Sequence, residues 1–75
     1  MQLGTRFAVG ATPPSNLPQA VTDAIASVEW SLDGIDTSQW RWTLTWLEGR
    51  AVVELDDGTI IRMGHDGVVT VVEPQ

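Results

Sequence analysis

The residues able to do chemistry in this chain are few and scattered. His65 is the single histidine, and the hydroxyls of Ser15, Ser27, Ser31 and Ser38 follow no spacing that would align a nucleophile with an imidazole and a carboxylate. Flanked by Gly64 and Asp66, His65 reads as a turn residue. Asp33, Asp36, Asp56, Asp57 and Asp66 fall in stretches where aspartate closes turns through bonds to nearby backbone. The segment Leu32-Asp33-Gly34-Ile35-Asp36 comes nearest to a calcium loop, but it lacks the third ligand spacing and the terminal bidentate glutamate. Cysteine is absent, which removes thiolate metal sites, disulfides and thiol nucleophiles. With no glycine-rich phosphate loop either, the expectation is a non-enzymatic protein without metal or cofactor.

What remains is stacking and ion pairing. Residues 40 to 46 read Trp40-Arg41-Trp42-Thr43-Leu44-Thr45-Trp46, so in an extended strand three of the four tryptophans share one face with Leu44. Arg41, Thr43 and Thr45 point the other way. The tryptophan face is either a core or an aromatic platform, and the choice depends on the elements around it.

Composition narrows the partners. Ten acidic residues against four arginines give a net charge of −6, which disfavours the counterion displacement of nucleic-acid binding and attraction to anionic membranes. No stretch approaches the ~20 apolar residues of a membrane span, nor does the beginning of the chain resemble a signal peptide. A soluble cytoplasmic protein is expected, and 75 residues make one small domain. At this size a single core supplies only about 3–5 kcal/mol of net stability, so dense packing or self-association is needed.

The elements follow from periodicity. Alternation of Leu3, Thr5, Phe7 and Val9 predicts a strand over about residues 3–9. Pro13-Pro14 then enforces an extended spacer. A helix is predicted over about 17–32, with Asn16 as its N-cap, Pro18 in its first turn and Gly34 as the residue that ends it. Leu17, Val21, Ala24, Ile25, Val28 and Leu32 occupy an arc of about 100°, the width of a stripe laid on a core. Trp30 lies nearly opposite that arc, so either the helix frays before it and Trp30 folds back under the following loop, or Trp30 is an exposed aromatic; the first is favoured because lone large aromatics usually find cover.

Four strands are expected after the helix, over about 40–47, 50–55, 59–63 and 68–73, because Glu48-Gly49, Asp57-Gly58 and Asp66-Gly67 are hairpin signals at near-regular spacing. A two-residue turn at Glu48-Gly49 sets Trp46 against Ala51, Leu44 against Val53 and Trp42 against Leu55, leaving one face wholly apolar. A three-residue loop ending at Gly58 then pairs Val53 with Ile61 and keeps Arg62 out of the core. The helix stripe has no other apolar surface to cover. The predicted fold is therefore α+β: an N-terminal strand, one amphipathic helix, and a four-stranded antiparallel meander with the helix on its Trp42/Leu44/Trp46 face.

The opposite face would carry Arg41, Arg50 and Arg62 around Val52, Ile60 and Val72. Read plainly, it is a solvated face on which Arg41 pairs with Asp56 and Arg62 with Glu54, each pair worth little. Read functionally, it is an apolar centre with an arginine rim, the surface of a protein–protein interaction module or homodimer. A free sheet edge offers a further route to a partner strand. The alternative from a different class is a ligand-binding module in which Trp30 and Trp40 flank the loop of residues 35–39 as an aromatic cleft.

Overall fold

The computed structural model describes residues 4–64 and 66–74; the expected strand start at Leu3 and the turn position of His65 lie outside the described residues. Five strands and one helix follow the chain: β1 (Thr5–Ala8), α1 (Gln19–Ser31), β2 (Arg41–Leu47), β3 (Arg50–Leu55), β4 (Ile60–Met63) and β5 (Val69–Val72). The strands form one antiparallel sheet in the order β1-β2-β3-β4-β5, with α1 packed on one face. This is the predicted α+β arrangement. It also places the N-terminal strand, which pairs with β2 and sets Phe7 against Trp42 and Arg6 against Thr43.

The hairpin registers come from turn chemistry. Glu48 and Gly49 both have positive φ, 53° and 78°, the geometry of a tight turn whose twist matches that of the flanking strands. Trp46 consequently opposes Ala51, Leu44 opposes Val53 and Trp42 opposes Leu55. In the next turn Gly58 has φ 102°, Asp57 Oδ1 accepts from the Thr59 N–H at 2.8 Å, and Val53 pairs with Ile61 as expected. Each register keeps one face apolar because a slip of one residue would invert it.

The core consists of Leu17, Val21 and Ile25 from the helical side and Trp42, Leu44, Ala51, Val53, Leu55 and Ile61 from the sheet. Trp42 is fully buried, with the ring of Phe7 stacked on it at 6.5 Å between centroids. Burying each such large apolar side chain contributes roughly 1.5–3 kcal/mol.

Four expectations about the helix and the tryptophans need correction. Asn16 is not the N-cap: Leu17 N–H closes a turn onto the Pro14 carbonyl, which leaves Asn16 exposed, and the cap is Pro18 without any side-chain bond. The Pro18 carbonyl accepts from Val21 and Thr22 instead, a role that needs no N–H. Gly34 does not end the helix, which stops at Ser31 with Leu32 as its C-cap; its φ of 87° serves a separate turn, closed by Ile35 N–H on the Leu32 carbonyl.

Trp30 does not fold back. The helix stays intact through it, and the residue is 83% exposed, because continuing helical periodicity holds it opposite the buried stripe. Trp46 is not core floor but 47% exposed. The helix runs closest to β4 and β5, so the hairpin end of β2 lies beyond its cover, while the long Trp42 side chain reaches across to meet it.

Candidate functional site

The sheet face turned away from α1 is the surface on which the polar chemistry collects. The registers place Arg6, Thr43, Glu54, Ile60 and Val72 in one cross-strand row, and Thr45, Val52, Arg62 and Thr70 in the next. Arg41 and Arg50 share this face at opposite ends of the β2-β3 hairpin, since Arg41 lies two residues from Thr43 and Arg50 two from Val52. All four arginines of the chain are therefore on one face. Sequence reasoning found three. Arg6 was missed because its place depends on which strand β1 pairs with, although its alternation with Phe7 already turned it away from the core.

The ion pairs differ from those expected. Asp56 is engaged by Arg6, Nη2 to Oδ1 at 3.4 Å, and accepts the backbone N–H of Arg41 on Oδ2 at 3.0 Å. The Arg41 guanidinium turns instead to the Trp40 carbonyl, which accepts from Nη1 at 3.1 Å. β1 brings Arg6 alongside β2, and with the Asp56 carboxylate occupied by the backbone of Arg41, the neighbouring strand supplies the charge. Arg50 pairs with Glu48 across the turn at 3.5 Å. The expected Arg62–Glu54 pair does not form, and among the described residues Arg62 has no ion-pair partner. Glu54 faces Ile60 directly, so Arg62 stands diagonal to it.

Arg50, Val52 and Arg62 converge. With Leu47, Met63, Gly64 and Thr70 they line an open depression of about 270 Å³ on this face. Val52 and Leu47 contribute apolar surface, and Arg50 and Arg62 contribute donors. Leu47 is 59% exposed there. Such a surface can accept a carboxylate beside an apolar group, because guanidinium binds carboxylate in a planar fork. The remaining predicted members, Arg41, Ile60 and Val72, lie on the same face outside the depression.

Trp30 and Trp40 are not brought together around a described cavity. Trp40 packs against the edge of the core, Trp30 projects from the helix, and neither lines this depression or a second one, of about 250 Å³, between the end of α1 and β5. In the loop between them Asp36 Oδ1 accepts the Ser38 N–H at 3.1 Å, and this bond, with a further one from the Ser38 side chain, holds the Asp36 carboxyl below its ordinary pKa.

Among the described residues no group of three or more His, Asp or Glu side chains is disposed to hold a metal ion, and no helix is long and apolar enough to cross a membrane. Comparison with known proteins finds no matching family model, no matching curated protein and no matching solved structure.

Proposed function

We propose that this chain is a small non-enzymatic interaction module, acting in the cytoplasm, that engages a protein partner through the sheet face opposite its helix. The observation that carries the reading is the convergence of Arg50 and Arg62 on a depression with Val52 in it. Arginines around an apolar centre are the composition of a recognition surface, and on a chain of net charge −6 their gathering on one face favours a partner that presents carboxylates. Arg62, without an ion pair among the described residues, is the cation with most to gain.

The test is site-specific photo-crosslinking in cells of the native organism. A photoreactive residue at position 52 should capture a discrete partner that the same residue at exposed Ser27, on the helix, does not. Capture should disappear when Arg50→Glu and Arg62→Glu are combined. Identical adduct patterns from positions 52 and 27 would end this reading.

A further inference from the structure

We infer that the open edge of β5 is the seam of a two-fold symmetric homodimer, in which two copies of this chain pair β5 against β5 antiparallel about Thr70. The inference rests on the reading that the protein works by association, but it uses the sheet edge rather than the arginine face. Three features of the strand lead to it.

The first is the unguarded edge. β5 ends the sheet, and among the described residues no strand pairs with its outer side. Proteins blunt such edges with charges, prolines or bulges; β5 pairs with β4 in a regular register, and Val68-Val69-Thr70-Val71-Val72 holds neither charge nor proline, which come only after it at Glu73 and Pro74. Val68, Val71 and Val72 are 59%, 42% and 36% exposed. At the other end of the sheet, β1 carries Arg6 within its four residues.

The second is the direction of the backbone groups. Leu55 N–H donates to the Thr59 carbonyl at 2.8 Å, so alternation along β4 turns the polar groups of Ile60, Arg62 and Gly64 toward β5. Gly64 N–H accordingly donates to the Val68 carbonyl at 2.9 Å. Val68, Thr70 and Val72 therefore point inward to β4, and Val69 and Val71 present their N–H and C=O groups to the open edge.

The third is that β5, taken with Val68 just before it, is a palindrome. Read in either direction it is Val-Val-Thr-Val-Val, so antiparallel pairing about Thr70 sets Val69 against Val71 of the second copy and Val71 against its Val69. These are the residues with outward backbone groups, and each pair exchanges two hydrogen bonds. Thr70 meets its own copy in the close, non-hydrogen-bonded position, with Cα atoms ~4.5 Å apart, where a threonine pair is favourable. The charges agree: Glu73 falls opposite Gly67 and Asp66 opposite Pro74, so no two carboxylates oppose each other. A single edge pair buries less than the roughly 1,200–2,000 Å² of a stable complex, so the dimer is weak and concentration-dependent. It is isologous and closes on itself, and it sets the two arginine depressions on either side of the axis.

Sedimentation of the intact chain up to about 1 mM, where weak small interfaces assemble, should show a monomer–dimer equilibrium and nothing larger. Val71→Pro removes one outward N–H per chain at a position where an edge strand tolerates proline, and it should be monomeric with an unchanged circular dichroism spectrum. Thr70→Lys and Thr70→Glu should each be monomeric alone, through like charges at the axis, and should dimerise when mixed. A wild-type monomer at the highest concentration, a dimer indifferent to these variants, or assembly past the dimer would overturn the seam. The two readings fail separately: Val71, on the helix side of the sheet, should leave position-52 crosslinking intact when replaced by proline, and the Arg50→Glu/Arg62→Glu variant should still dimerise.

Discussion

The carboxylate of Glu29 accepts the indole Nε1–H of the fully buried Trp42 at 2.8 Å. The same oxygen, Oε2, also accepts the backbone N–H of Gly10 at 3.1 Å. One side chain at the end of α1 thus satisfies the single polar atom of the largest core residue and ties the helix both to β2 and to the turn after β1. A buried indole without a partner would cost the full desolvation of its N–H.

Replacing Glu29 by leucine should therefore destabilise the fold by about 1–3 kcal/mol, while Glu29→Gln, whose amide oxygen still accepts, should cost clearly less. Urea denaturation of both variants checks this. Equal losses would mean that packing, not the hydrogen bond, sets the role of the residue.

The tryptophans should separate by environment. Trp42→Ala is expected to cost about 3–5 kcal/mol, enough to unfold a domain of this size. Trp46→Ala and Trp30→Ala, at exposed positions, should leave a cooperative transition in place. Of the emission lost in the single variants, that of Trp30 should be the most accessible to acrylamide.

At the β2-β3 turn, Glu48 adopts φ 53°, and it is the one non-glycine residue with positive φ among those described. Asparagine tolerates this conformation better, and the Glu48–Arg50 pair lost with it, long at 3.5 Å and exposed on its Glu48 side, is worth little. Glu48→Asn should raise stability by about 0.5–1 kcal/mol, read as a higher denaturation midpoint.

The arginines of the outer face should be nearly dispensable for folding. Arg50→Glu and Arg62→Glu are each expected to change stability by no more than about 0.5 kcal/mol, while the double variant loses partner capture. A large stability loss would show the face to be structural.

Asp36 provides a pH prediction with a definite sign. Bonds from Ser38 favour its charged form and lower its pKa from 3.8, so the ordering they contribute is fully present above that value and is lost as pH falls through the lowered folded pKa. Carboxyl titration followed by NMR should give Asp36 a midpoint under 3.8, and Ser38→Pro, which removes the donating N–H, should raise it.

The hairpin registers were legible in the sequence because they are local. A strand alternates every two residues and a tight turn sets the partner, so Glu48-Gly49 and Asp56-Asp57-Gly58, together with the demand that one face stay apolar, determine that Trp42 meets Leu55 and Val53 meets Ile61. The same arithmetic put Arg50, Val52 and Arg62 on one face. Only the tertiary structure decided which strand β1 joins, and with it that Arg6 reaches Asp56. It alone decided that Trp46 lies uncovered and that the helix continues through Trp30, whose outward direction the helical periodicity had already indicated. These outcomes depend on where a short helix lies across five strands. That placement comes from contacts distant in the chain, chiefly Ile25 and Val21 on the core and Glu29 on Trp42, and periodicity within a single element carries no information about it.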